Sequence, residues 1–147
     1  MGDLARYFST WELICHCNDD NCPGKSTKPS AILLGGLDKL REFSGCAINI
    51  NSGIRCKDHN TKKGGSDNSR HLPQHADAAD VVIQGKNVRE MVDLALKIAC
   101  FRYGGIGIYQ NRIHLDTRPY LARWPKGMWR NQTEFLTYDE MENQDEK

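Results

Sequence analysis

The stretch Ile106-Gly107-Ile108-Tyr109-Gln110-Asn111-Arg112-Ile113-His114-Leu115-Asp116 decides how the chain is built. Gly104-Gly105 turns the chain into the first apolar run, Gln110-Asn111 turns it again, and the two halves read as a β-hairpin. Side chains two apart on a strand share a face. His114 and Asp116 therefore project together, while Ile113 and Leu115 project the other way. Such a hairpin needs apolar partners on one face and a chemical reason for the His and Asp on the other.

The remaining elements supply the partners. Ala78 to Ile83 reads as a strand, and Ala47-Ile48-Asn49-Ile50-Asn51 as a shorter, alternating one. Ile32, Leu33, Leu37, Leu40 and Phe43 recur at helical spacing and predict a helix over about 30–43, stopped by Gly45. Val88, Met91, Val92, Leu94, Ala95 and Ile98 predict a second over about 86–100. Near the start, Ser9 and Glu12 have capping-box spacing. The expectation is an α+β domain with a small antiparallel sheet flanked by helices, spanning 1–131 without repeats or a linker.

Composition narrows the class. The 147 residues hold 20 Lys plus Arg against 19 Asp plus Glu, a formal charge of +1. That balance argues against a dedicated nucleic-acid binder. No apolar run approaches the roughly 18–20 residues needed to span a bilayer. The opening Met1-Gly2-Asp3-Leu4-Ala5-Arg6 has no signal-peptide pattern, so synthesis in the cytoplasm is expected. The charge is uneven. Glu134, Asp139, Glu140, Glu142, Asp145 and Glu146 outweigh Lys147, which suggests an acidic, flexible tail over 132–147 and a mildly basic body.

The chemistry is expected in the polar stretch 52–77, read as a long loop, which holds His59, His71 and His75. It runs into Ala78-Ala79-Asp80, where a carboxylate entering an apolar strand needs a cation, donors or a metal. One His and Asp from this stretch, with His114 and Asp116 from the hairpin, suit a mononuclear zinc site with a position left for water. Separately, Cys15, Cys17 and Cys22 cluster around His16 and could hold a second, structural metal. Reduced thiols or a disulfide are the alternatives, because the spacing matches no standard finger and a second Cys pair is missing. Cys46, Cys56 and Cys100 are scattered.

These residues resemble the M15 zinc peptidases. The resemblance rests on Ser52-Gly53-Ile54-Arg55, on Ser69-Arg70-His71-Leu72 running to Ala78-Ala79-Asp80-Val81, and on Ile113-His114-Leu115-Asp116 in a late strand. It extends over about residues 7–124 and includes D-Ala-D-Ala carboxypeptidases and the L-alanyl-D-glutamate endopeptidases of phage endolysins. It implies a hedgehog/D-Ala-D-Ala peptidase-like zinc fold with His71, Asp80 and His114 as ligands. One departure leaves a rival open. The family separates the first His and the Asp by seven positions and this chain by nine, so His75 could replace His71, or Asp77 could replace Asp80.

The resemblance further implies that Arg55 faces the cleft and holds a substrate carboxylate. Asp116 is a candidate general base, or alternatively a group that orients a ligand. Ser69 and His75 are candidates for contacts around the substrate, Ser69 also serving the motif's own backbone. Trp124, Trp129 and Tyr120 are expected to pack the last segment over the sheet. The expected activity is hydrolysis of peptidoglycan stem peptides by a monomer of the phage endolysin type, acting on the cell wall after release, without nucleic-acid or stable membrane partners. A non-catalytic, zinc-containing wall-binding or phage structural protein of the same fold is the alternative.

Overall fold

Five strands form one sheet in the order β1-β2-β4-β3-β5 in the computed structural model, which describes residues 2–130. The strands are β1 (Ile48–Ser52), β2 (Ala78–Ile83), β3 (Gly105–Ile108), β4 (Ile113–Asp116) and β5 (Ala122–Trp124). The helices are α1 (Thr10–Leu13), α2 (Pro23–Ser26), α3 (Ala31–Ser44), α4 (Lys57–Lys62), α5 (Val88–Ala95) and α6 (Ala99–Arg102), and a 3-10 turn covers Lys126–Met128. The acidic segment 132–147 lies outside the described residues.

The α+β expectation holds, with helices flanking a five-stranded sheet. The hairpin is present as β3 and β4, paired antiparallel with Ile108 opposite Ile113 and Gly105 opposite Asp116. The sheet is not wholly antiparallel, however. β5, which the sequence reading missed, pairs parallel with β3. Its three residues are all half-buried and show no alternation to betray a strand.

One sheet face is apolar. Ala79, Val81 and Ile83 of β2, Ile106 and Ile108 of β3, and Ile113 and Leu115 of β4 join a core with Leu33, Leu37, Leu40, Met91, Val92 and Phe101 from the helices. Each fully buried aliphatic side chain contributes about 1.5–3 kcal/mol, which makes this face the main source of stability. The α3 stripe is Leu33, Leu34, Leu37 and Leu40; Ile32 and Phe43, expected within it, are exposed. Ser30 caps α3 by accepting from the Leu33 N–H. The predicted helix over 86–100 is two helices, with a turn at 96–98. The pattern conceals the break because Ile98 remains buried across it.

The stretch 52–77 also differs from its reading as a loop. It contains α4, whose six residues bury only Asn60, so no amphipathic period marks it. The opposite sheet face carries Asp80, His114 and Asp116, with Gly105 and Gly107 beside them. That face positions the site.

Candidate metal centre

Asp80 sits mid-strand in β2 directly opposite His114 of β4, so sheet register alone sets a carboxylate beside an imidazole. His71 joins them from the turn before β2. The extra length between His71 and Asp80 is taken up locally: the His75 and Ala76 N–H groups both bond the Leu72 carbonyl, and Ala76 adopts φ 49°. His71, Asp80 and His114 are at most 5% exposed.

Three atoms converge. His71 Nε2 lies 3.3 Å from Asp80 Oδ1 and 3.2 Å from His114 Nδ1, and His114 Nδ1 lies 3.1 Å from Asp80 Oδ1. A tetrahedral shell with bonds of about 2.0–2.1 Å has ligand–ligand edges of about 3.3–3.4 Å. The triangle therefore fits one face of such a shell, and these residues can hold a metal ion.

Each of the three side chains is fixed from behind. His71 Nδ1 donates to the Gly53 carbonyl at 2.6 Å, which leaves Nε2 as the free lone pair. His114 Nε2 donates to Asp116 Oδ2 at 2.7 Å, which frees Nδ1 in the same way. Arg55 donates from Nη2 to Asp80 Oδ2 at 2.9 Å and from Nε to Ser52 Oγ at 2.7 Å. Asp80 thus keeps one oxygen for the centre and gives the other to a guanidinium.

The electrostatics point the same way. Burial pushes the Asp80 carboxyl up, but hydrogen bonds from His114 and His71 outweigh it and hold the group well below the usual carboxylate range. Burial lowers the His71 imidazole, and its contacts with Asp80 recover only part of that. Burial also lowers His114, yet the bonds to Asp116 and Asp80 prevail and raise it. Two carboxylates thus flank a buried ring from opposite sides, a place that favours positive charge.

Asp116 stands on the side of His114 away from the triangle. It is fully buried, and besides His114 its oxygens accept from the Gly105 N–H and bidentately from Arg118. Of the two roles expected for it, general base or orienting group, the second is the one this position suits, because Asp116 meets His114 at Nε2 and not at the Nδ1 edge that faces the triangle. Burial raises its carboxyl, but the bonds from His114 and Arg118 win and hold it well below the usual range.

Other expectations sort by position. His75 bonds Asn68 Oδ1 at 3.0 Å and lines neither cleft beside the centre, which corrects its assignment to substrate contacts and removes it as a ligand. Asp77 pairs bidentately with Arg70 and is likewise no ligand. Ser69 Oγ accepts from the His71 N–H at 3.2 Å and lines the cleft on the His71 side. His16 stacks on Trp11 and bonds its carbonyl, and it does not join the group of thiols.

Two clefts of about 480 and 470 Å3 flank the triangle and share Arg55. The first includes Asp80, His59, Lys63 and Arg112, with Asp80 the one acid among its described lining residues. The second includes His71, His114, Tyr109, Arg118, Tyr120 and Trp124. Trp124 is a site residue the sequence reading assigned to packing. Its ring centroid lies 4.9 Å from that of His114. The glycines of β3 make room: a Cβ on Gly107 would meet Trp124 at 2.2 Å, and one on Gly105 would meet Asp116 at 2.3 Å. The Gly-x-Gly alternation on the polar face of a strand was the available signal.

A sequence profile of the peptidase M15 family matches residues 6–116, which contain the whole triangle and the Gly53, Arg55 and Asp116 groups that fix it, while Arg118 and Trp124 follow the match. The chain belongs to the peptidase M15 family. No curated protein matches it closely enough to name a relative. The M15 assignment makes the protein a hydrolase of the peptidase class.

Proposed function

We propose that this M15 peptidase is zinc-dependent and cleaves peptide bonds in bacterial peptidoglycan stem peptides, as a monomeric wall-lytic enzyme of the phage endolysin type. The observation that carries the reading is the near-equilateral triangle of His71, Asp80 and His114, each ligand locked by Gly53, Arg55 or Asp116. Two imidazoles and one carboxylate are a donor set typical of catalytic zinc with three protein ligands. Zinc bound there supplies a Lewis acid that acidifies water and polarises a carbonyl.

The chain's own groups do the rest. Arg55 neutralises Asp80 and keeps its second oxygen turned away from the centre. Asp116 holds the His114 ring with its proton at Nε2, so that the neutral ring turns the Nδ1 lone pair to the centre. Arg55, Lys63 and Arg112 give one cleft a positive lining that suits the free carboxylates of a stem peptide. Tyr109, Tyr120 and Trp124 wall the other cleft with aromatic surface against which a peptide backbone can lie.

The test is digestion of purified peptidoglycan with and without chelator, read as new free amino groups. Mass spectrometry of the muropeptides distinguishes L-Ala–D-Glu cleavage from release of terminal D-Ala. Chelator-sensitive release that disappears in His114→Ala supports the proposal. Binding to the wall without release, in zinc-loaded protein, would favour the non-catalytic reading instead.

A further inference from the structure

Four of the six cysteines meet in space. Cys15, Cys17, Cys22 and Cys56 bring their Sγ atoms within 4.8 Å of one another, and none is in a disulfide. Cys15 and Cys17 follow α1, Cys22 precedes α2, and Cys56 precedes α4. The fourth thiol, missing from the local Cys-x-Cys-x4-Cys spacing, is delivered by the fold from the far side of α3 and β1.

We infer that these four thiols form a second metal centre, a closed tetrathiolate zinc site that is structural, separate from the peptidase centre and not dependent on it. The geometry fits. Cys17 Sγ and Cys56 Sγ are 3.8 Å apart, well beyond the roughly 2.05 Å of a disulfide. Zinc–sulfur bonds of about 2.3 Å in a tetrahedron give sulfur–sulfur edges of about 3.8 Å.

Donor groups face two of the four sulfurs. The Cys56 N–H donates to Cys15 Sγ at 3.4 Å, and the His59 N–H donates to Cys56 Sγ at 3.5 Å. His59 Nδ1 lies 3.3 Å from Cys15 Sγ. Lys57, Lys62 and Lys63 line the hollow beside Cys17, Cys22 and Cys56 and outnumber its two acids, Asp19 and Asp58.

Packing supplies the reason a metal is needed. The three buried cysteines form a cluster of their own, with only Cys17 packed against it and no aliphatic or aromatic side chain included. Segment 14–30 thus draws little from the main apolar core, and small units of this kind rely on metals or cross-links. Backbone bonds already aim it at the site, with Cys15 N–H on the Gly24 carbonyl and Ile54 N–H on the Leu13 carbonyl. A zinc knot there fastens the N-terminal segment to the residue after Arg55.

The experiment measures bound metal by native mass spectrometry and elemental analysis on the full chain expressed with zinc, then repeats with cobalt. Wild type should bind two metal equivalents, and its cobalt form should show an intense near-ultraviolet sulfur-to-metal charge-transfer band. His71→Ala/His114→Ala should lose one equivalent and keep the band. Cys17→Ser/Cys22→Ser should lose one equivalent and the band. If the cysteine variant fails to fold, the band in wild type and in the histidine variant still decides. A wild-type cobalt form without a charge-transfer band, or these four cysteines recovered as disulfides from freshly purified protein, would overturn the inference. Failure of the peptidase reading leaves the band untouched, so the two ideas fail separately.

Discussion

The triangle on the sheet and the knot of thiols meet at consecutive residues: Arg55 holds Asp80, and Cys56 is the fourth thiol. The first cluster takes Asp80 and His114 from strands and His71 from the turn before β2, mixes nitrogen and oxygen donors, and has a polar partner behind every side chain of the triangle. It opens into two clefts. The second sits on turns and short helices, offers sulfur alone and is braced by backbone N–H groups. A centre meant for chemistry needs spare coordination and ligands held in a chosen state. A centre meant for stability needs a full shell and a long reach across the chain. Their juxtaposition puts the anchor of the N-terminal segment next to the arginine that fixes a ligand of the other centre.

Removing a ligand from the sheet cluster should give the largest effect. Asp80→Ala should take hydrolysis to background and leave Arg55 buried without its partner, at a cost of about 3–5 kcal/mol in urea unfolding. The sulfur-to-cobalt band should remain. Loss of that band as well would mean the two centres are not separate.

Asp116→Asn tests orientation against base catalysis. An orienting role predicts about 10–100-fold weaker metal binding at the sheet centre, measured by competition with a chelator of known affinity. Unchanged metal affinity with a lost rate would restore Asp116 as a base.

The metal-free protein provides the pH test. The folded Asp116 carboxyl is depressed, so its stabilisation is complete above the ordinary Asp value of about 3.9 and is lost as pH falls below it. Thermal midpoints of the chelated protein should drop along that acid limb. Asp116→Asn should flatten the drop, and an unchanged slope would contradict the assignment.

Gly107→Ala probes the cleft wall. The new Cβ would force Trp124 off the strand, at a cost of about 1–3 kcal/mol, with reduced peptide hydrolysis while bound metal stays constant. The smallest effect belongs to Phe43→Ser. Phe43 is 57% exposed on α3, so a change within about 0.5 kcal/mol in chemical unfolding is expected, against several for Leu37→Ala on the buried stripe.

The hairpin, the Asp80 and His114 candidates and α3 were legible because each leaves a local mark, whereas His71 was named through the family resemblance. His114-Leu115-Asp116 alternates on a strand, Ala79-Asp80-Val81 sets a charge in an apolar run, and the leucines of α3 keep a helical period. α4 and β5 left none, being short and half-exposed. Asp116 shows the limit of the alternation argument. It correctly placed His114 and Asp116 on one face, but not which side of the imidazole the carboxylate would occupy.

The chain's order of residues determined by itself that a buried face would form and that His114 and Asp116 would share the opposite one, since strand and helix periods act between near neighbours, and its motifs named His71, Asp80 and His114 as candidates through the family resemblance. Only the tertiary structure chose His71 over His75 and Asp80 over Asp77, moved Asp116 behind His114, and brought Cys56 to Cys15, Cys17 and Cys22. Those choices depend on sheet register and on contacts between residues far apart in the chain, and no local pattern encodes a distance across a fold.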